Sequence, residues 1–385
     1  MLRKLGCTIA AVLAIAVPAA AWAAEPILIG VDEPLTGDVA ASGTYVANGA
    51  RIAADVINAE GGVLGRPIKL IIEDNKSNPR DAATAAQRLI VRDHVPVMMG
   101  AWGSTFTLSV MPLLMENHVP MVVETSSSPK ITVAGNPWVF RIAPTSAMEA
   151  KSFVTKLGDF NPPIRKVDFL AVNNDFGRGS IDAFKNALAA KGIAIGTVQV
   201  MAPNATDLSA QLAKIKESGG DTLFLTTEVE QITLILKQAA ELRLPQRIIT
   251  NGGSSSPDQL IAQAGPAANN NYFTVFFAPW FPEKALYPDL ARKFEAEWKQ
   301  RNYEFAGMTE GYRGFDGIRT IAAAIRDAGK VDPDAIRQAL WNVKVQGLNG
   351  DIAFVAQGPK GQESGQNEAN VYIVQIQNGK VQMFP

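Results

Sequence analysis

The sequence predicts an α/β fold of two doubly wound lobes joined by a three-crossover hinge. Three observations carry this reading. The chain has 385 residues, more than one hydrophobic core ordinarily organises. Short apolar runs alternate with helical periodicities from Ile27 onward, and the same rhythm restarts after Pro144; such alternation marks parallel sheets covered on both faces. Strand-like segments also lead between the two units near 142–145, 271–278 and 348–358, and several strands joining two lobes make a hinge. Charged residues at 19% and hydrophobic residues at 47% suit a globular protein with large buried sheets.

Residues 1–23 read as a signal peptide. Arg3 and Lys4 form its basic start, Ile9 to Val17 its apolar run, and Ala21-Trp22-Ala23 a small-x-small cleavage site, so the mature chain is expected to begin near Ala24. The apolar run is too short to span a bilayer comfortably. Losing Arg3 and Lys4 makes the formal net charge of −1 two units more acidic. A mildly acidic exported chain has no electrostatic case for binding nucleic acid. Cys7, the single cysteine, precedes the apolar run. The mature chain is thus expected to carry no thiol, which excludes disulfides, cysteine nucleophiles and thiolate metal sites.

The first lobe is assigned to 24–142 plus 278–350. Ile27 to Val31 is its first strand, followed by a helix with Val46, Ala50, Ala53 and Ile57 on one face and Glu60-Gly61-Gly62 at its stop. Ile68 to Ile72 is a strand, and Asn78-Pro79 opens a helix to Arg92. Val95 to Met99 is a buried strand that turns on Gly100 and Gly103 into a helix capped by Ser104 or Thr105, which Pro112 kinks or splits. Met121 to Val123 ends in Glu124-Thr125-Ser126-Ser127-Ser128, and Trp138 to Ile142 leads out.

The second lobe is assigned to 143–277 plus 351–385. Val167 to Val172 ends in Asn173-Asn174-Asp175-Phe176, and its helix carries Ile181, Phe184 and Leu188. Further strands at 195–200, 223–225 and 248–249 alternate with helices, the second ending in Thr226-Thr227-Glu228 and the third in Asn251-Gly252-Gly253. Helices at 286–300, 309–328 and 333–341 and strands near 351–355 and 371–376 complete the chain.

The strand ends hold the candidate site. At Gly103-Ser104-Thr105, unpaired helix N–H groups beside a serine oxygen favour a carboxylate or phosphate, and crevices of open α/β sheets lie outside such strand ends. Thr125, Ser126 and Ser127 at the next strand end converge on the same ligand group. Trp102 and Phe176 offer apolar walls. Glu228 follows a strand directly, where an ordinary first-turn helix acid is the competing reading. Hydrolase signatures (G-x-S-x-G, P-loop, H-E-x-x-H) are absent, as is a dinucleotide G-x-G-x-x-G. No cofactor or metal is expected. His94 and His118, the two histidines, fall near helix ends. A serine hydrolase therefore has no evident base.

Taken in order, Pro34-Leu35-Thr36-Gly37, the run Ile57 to Gly65, Gly103-Ser104-Thr105, Ser126-Ser127-Ser128-Pro129 and Asp175-Phe176-Gly177-Arg178-Gly179 resemble the periplasmic solute-binding proteins of the branched-chain amino acid type. The resemblance covers nearly the whole mature chain. It implies a type I periplasmic binding protein, located in the periplasm, that closes on a small carboxylate-bearing solute and delivers it to an ABC permease in the inner membrane. A periplasmic serine hydrolase and a ligand-sensing subunit of a membrane receptor are the alternatives. By resemblance Ser104 binds the ligand carboxylate, Thr125 and Ser127 contact carboxylate and ammonium, Phe176 stands where a tyrosine often covers the ligand, and Ser42 falls at a variable first-lobe position. Two departures matter. Gly252 replaces the glutamate that pairs with an amino acid's ammonium, and Ser77 and Gly103 occupy the positions of a disulfide. The first favours an apolar or aromatic organic acid over an amino acid, unless Glu228 supplies the missing carboxylate.

Overall fold

The computed structural model describes residues 25–252 and 256–385. The expected signal peptide, Cys7 and Gly253 to Ser255 lie outside the described residues. The first lobe runs β1 (Ile27–Glu33), α1 (Ala40–Ala59), β2 (Ile68–Asp74), α2 (Pro79–Gln87), β3 (Met98–Gly100), α3 (Ser104–Asn117), β4 (Met121–Val123), α4 (Lys130–Val133) and β5 (Val139–Arg141). The second runs α5 (Ser146–Phe153), β6 (Lys166–Val172), α6 (Asp175–Ala189), β7 (Ala194–Met201), α7 (Ser209–Glu217), β8 (Thr222–Thr226), α8 (Val229–Glu241), β9 (Arg247–Thr250), α9 (Pro257–Ala264) and β10 (Tyr272–Val275). The chain then returns to the first lobe for α10 (Pro288–Gln300), α11 (Met308–Ala328) and α12 (Pro333–Leu340). Four short strands follow there: β11 (Val345–Gly347), β12 (Gly350–Ile352), β13 (Val355–Gln357) and β14 (Ser364–Gln366). It ends in the second with β15 (Tyr372–Gln377) and β16 (Lys380–Met383).

The two sheets share one wiring. Their orders are β13-β14-β5-β4-β3-β1-β2 and β16-β15-β10-β9-β8-β6-β7, and the first five strands of each lobe are parallel. In both, the first strand of the lobe pairs with the second on one side and the third on the other. The order reverses there, and that reversal opens a crevice at the carboxyl ends of the strands.

The helical periodicities account for the packing. Val46, Ala50, Ala53 and Ile57 are all buried on α1, and Ile181, Phe184 and Leu188 on α6. Helix α1 meets α11 with their backbones in contact. A Cβ on Gly49 would lie 1.7 Å from the Gly311 carbonyl oxygen, and one on Gly314 2.0 Å from that of Val46. This contact sets α11 directly behind the strand ends of the first sheet. Helix α3 runs unbroken through Pro112, where a kink or a restart is the expectation from sequence.

The lobe boundaries also differ at the end of the chain. Strands β13 and β14, assigned from sequence to the second lobe, extend the first sheet beside β5. The third crossover therefore falls between β14 and β15, after the 348–358 stretch. Neither strand has an apolar run to reveal it. Long-range polar contacts decide its place: the Arg141 Nε donates to Gln366 Oε1 at 2.7 Å, and the Gln366 amide to the Ala143 carbonyl at 2.9 Å.

Candidate functional site

A cavity of about 490 Å³ lies between the carboxyl ends of the two sheets. Its first-lobe wall is Asp38, Val39, Ser77, Pro79, Trp102 to Phe106 and Thr125 to Ser127; its second-lobe wall is Asn174, Phe176, Pro203 to Thr206, Glu228, Glu230, Gln231, Leu234 and Gly252. Trp102, Gly103, Ser104, Thr125, Ser126, Ser127, Phe176, Glu228 and Gly252 are thus brought together from five strand ends. Ser42 is not. It is buried within the first turn of α1, and the turn ahead of that helix supplies Asp38 and Val39 instead.

The features expected to bind an anion sit on the first-lobe wall, in a different arrangement from the one expected. Gly103, with φ +93°, takes the N-cap position of α3, and no side chain caps the helix. Its carbonyl accepts from Phe106 and Thr107 N, each at 3.0 Å. Ser104 and Thr105 therefore sit inside the first turn, where the helix itself offers their N–H groups no acceptor. Freed from capping, their hydroxyls do other things. The Ser104 Oγ accepts from Ser128 N at 3.1 Å and ties the two serine segments together. The Thr105 hydroxyl bridges the lobes: it donates to Asp175 Oδ2 at 3.2 Å and accepts from Asp175 N at 3.3 Å. Lys130 Nζ reaches Asp175 Oδ1 at 2.9 Å beside it.

A buried arginine braces this wall from behind. Arg141 donates to the carbonyls of Ser126 at 3.0 Å and Ser128 at 2.6 Å and to Thr132 Oγ1 at 2.6 Å. Burial pulls its guanidinium down to about 9. Ser126 Oγ is held by the Ala101 carbonyl at 3.0 Å and Thr107 Oγ1 at 2.8 Å.

The second wall is aromatic and acidic. Gly252 has φ +101°, and a Cβ there would lie 2.3 Å from Phe176 Cζ, so the ring fills the space of any side chain at 252. The Gly252 N–H donates to Glu149 Oε1 at 2.7 Å, and the Thr274 hydroxyl donates to the same oxygen. Burial pushes the Glu149 carboxyl up to about 7, against the lowering effect of these donors and of Arg313. Glu228 holds the N-cap position of α8 without capping it, and its Oε2 accepts from the Thr227 hydroxyl at 3.1 Å. Burial raises Glu228, and raises Glu230 with Asp38 adding to the effect. Among the described residues, the charged groups lining the cavity are Asp38, Glu228 and Glu230, with no lysine, arginine or histidine. His118 ends α3 in a left-handed conformation and stacks on Trp138 at 5.0 Å.

Sequence reasoning missed Asp38, Ser77, Asn174, Glu230 and the 203–206 loop. The loop carries a findable signal, since it directly follows β7 and a carboxyl-end crevice draws on every such loop. Arg141 gives none, because only the fold shows what it braces.

The profile of a family described as periplasmic binding protein matches residues 26–380. A Leu/Ile/Val-binding protein of Rhizobium johnstonii is 31% identical over 342 residues, covering 88% of this chain and 89% of its own length. A Leu/Ile/Val-binding protein homolog of Brucella melitensis is 29% identical over 322 residues, 83% of this chain and 84% of its own. Among solved structures, a leucine binding protein of Thermotoga maritima superposes with a TM-score of 0.81 at 25% identity, covering 93% of this chain and 97% of that one. A solute binding protein of an ABC transporter from Rhodopseudomonas palustris, in complex with 3,4-dihydroxybenzoic acid, gives a TM-score of 0.79 at 24% identity over 92% and 95% of the two chains. No helix among the described residues is long and apolar enough to cross a membrane.

Proposed function

This chain belongs to the periplasmic binding protein family, and from that premise we propose that it is the substrate-binding component of an ABC importer. Exported by its N-terminal segment, it captures a small monocarboxylate with a branched or aromatic body and presents the closed form to a permease. The observation that carries this reading is the pairing of unlike walls across one cavity: the open first turn of α3 with Ser104 and Thr125 to Ser127 on one side, Phe176 on Gly252 on the other. Helix N–H groups and hydroxyls hold an anion without a cationic side chain, and contacts from both lobes make binding favour the closed state.

The far end of the solute meets Glu228 and Glu230. Gly252 withholds a carboxylate at its own position, but these two stand on the same wall. A neutral tail or a hydrogen-bond donor fits there; a second carboxylate meets like charge in a setting that already disfavours ionisation. Curated relatives named for leucine, isoleucine and valine agree with a branched body. The serine hydrolase reading gains nothing, since the cavity serines bond to backbone and to the Thr107 and Ser146 hydroxyls and neither histidine lines the cavity.

Calorimetry with matched pairs tests the proposal: leucine against its oxo acid, phenylalanine against phenylpyruvate, and succinate as the dicarboxylate. We expect at least one monocarboxylate to bind and succinate to bind more weakly. Preference for succinate, or for uncharged amides over all the acids, overturns it. Within each pair, a preference for the amino acid that Glu228→Gln removes assigns Glu228 to the ammonium.

A further inference from the structure

The cavity loop between β7 and α7, residues 202–208, takes its place from a different helix. Strand β7 is an edge of the second sheet, with β6 on its inner side, so a neighbouring strand end supports the loop from one side only. One turn forms within the loop, where Ala205 N donates to the Ala202 carbonyl at 3.1 Å. Helix α8 supplies further ties through two glutamines. Gln231 Nε2 donates to the Ala202 carbonyl at 3.0 Å, and Gln238 Nε2 to the Thr206 carbonyl at 3.0 Å. Gln238 Oε1 accepts in turn from Leu208 N at 2.9 Å. Positions 231 and 238 lie about two turns apart on one face of α8, with Leu234 between them. Gln231 and Leu234 line the cavity themselves, as do Pro203 to Thr206. Gln231 is buried, and its Oε1 accepts from the Thr227 hydroxyl just past the end of β8, so both ends of its amide are committed.

We propose that Gln231 and Gln238 are positioning residues that set how large a solute body the cavity admits, by clamping the 203–206 loop as part of its second-lobe wall. The consequence for solute choice rests on the function proposed above; the clamp itself exists without solute. Its physical basis is what the loop lacks. Of residues 202–207 all but Ala205 are exposed, so burial of their side chains does little to offset the entropy of fixing the chain. Leu208, fully buried, pins the far end, and directed hydrogen bonds hold the stretch before it. The acceptors at Ala202 and Thr206 are backbone carbonyls, so the clamp fixes the path of the chain whatever side chains the loop carries. Held at two points, the loop moves outward only by breaking bonds to α8. A solute too large for the cavity must break them, and its binding loses their contribution. Without the glutamines the loop follows the solute, and larger bodies enter.

Two measurements on the full mature chain separate the clamp from its consequence. Gln231→Met and Gln238→Met keep the side-chain size and remove the hydrogen bonds. Amide hydrogen exchange without solute reads the loop: in the double variant, exchange at Ala205 and Leu208 should quicken about fivefold or more, with the amides of α8 unchanged. Wild-type exchange rates in the folded variant overturn the clamp. Calorimetry with phenylacetate, phenylpropanoate, phenylbutanoate and phenylpentanoate then reads the size limit. In the wild type affinity falls away beyond one member of the series. In the double variant the longer members should gain about tenfold, while phenylacetate changes less than about threefold. An unmoved limit, or a parallel loss for every member as a merely structural role would give, overturns the proposal. Should Gln231→Met not fold, Gln238→Met alone, at a half-buried position, must quicken exchange and move the limit. If no member binds the wild-type chain, the function proposed above fails and the size limit with it, while exchange still decides the clamp.

Discussion

The two walls of the cavity solve recognition in different ways. The first-lobe wall works through backbone: a helix start on Gly103, two adjoining N–H groups and a row of hydroxyls tied to carbonyls. The second works through side chains, with a phenylalanine laid on a glycine and glutamates left short of positive charge. Backbone donors suit any carboxylate alike, whereas ring and carboxylate positions distinguish one solute body from another. On the function proposed above, the comparison implies that affinity for the anion and selectivity for the rest reside in different lobes. Substitutions on the two sides should therefore have different signatures.

The sharpest contrast is between two glycines. Gly252 and Gly103 both have positive φ, but a Cβ on Gly252 meets the buried Phe176 ring at 2.3 Å, while one on Gly103 meets Phe106 Cδ2 at 2.9 Å, and Phe106 is only partly buried. Gly252→Ala is expected to cost about 3 kcal/mol or more in denaturant unfolding, strain and overpacking together. Gly103→Ala, whose neighbour can swing away, should cost about half as much, and Phe176→Ala should rescue only the first. Equal losses at the two glycines would erase the asymmetry between the walls.

The support behind the second wall is open to a pH experiment. The Glu149 carboxyl is raised from 4.5 to about 7, chiefly by burial. Between those values the unfolded chain has released a proton that the folded protein keeps, so stability falls as pH rises through this window and levels off above it. The contribution is ~3 kcal/mol at most. Melting temperatures followed across the window should decline, and Glu149→Gln should flatten part of the decline. Part remains because Glu124 and Asp316 are also pushed by burial up to about 7. A Glu149→Gln variant with the full wild-type slope would show that the group does not titrate there.

On the first wall, Ser104→Ala removes the proposed donor to the anion, for which charge-assisted bonds contribute about 1.5–3 kcal/mol. Affinity should drop about tenfold or more, and by a similar factor for every acid that binds. Phe176→Ala should instead reorder the acids according to their bodies. Calorimetry on the same panel separates the two patterns, and a Ser104→Ala variant that reorders acids would place selectivity on the wrong wall.

The smallest effect concerns the contact that bridges the walls. Burial by itself would raise Asp175, but bonds from Lys130 and Thr105 and the nearby Arg178 hold its carboxyl below the usual range. Its contribution to closure is present above the usual carboxylate range and is lost as pH falls through its lowered value. Lys130 is 65% exposed, so the pair is worth under about 1 kcal/mol. Asp175→Asn should shift the open–closed balance by less than about fivefold, read by small-angle scattering without solute. A complete opening would mean that the bridge, not the solute, holds the lobes together.

Periodicity and strand-end chemistry made much of this protein legible in its sequence. The alternation of strands and helices, the restart after Pro144 and the buried stripe of α1 follow from local patterning that any folded context must satisfy. Nine cavity residues were readable for a related reason: a carboxyl-end crevice collects whatever follows each strand, so position in sequence implies position in space. Ser42 failed this logic because it lies within a helix turn, where only packing decides which way a side chain faces. The cap at α3 failed because a hydroxyl and a glycine compete for one position, and the close packing of Gly103 beside Phe106 is settled in three dimensions.

What the sequence determined by itself is the class of the fold, the alternation of strands and helices in both lobes and the hydroxyl-rich strand ends that line the cavity, all of them consequences of near-neighbour spacing. Only the tertiary structure decided that β13 and β14 complete the first sheet, that Arg141 braces one wall, and that Phe176 occupies the space above Gly252. It alone set Glu149 against the Gly252 N–H and Glu310 against the Trp102 indole, pairs 103 and 208 positions apart in the chain. Polar groups of this kind carry no periodicity. Their roles depend on burial and on partners distant in sequence, and both of those quantities exist only once the chain has folded.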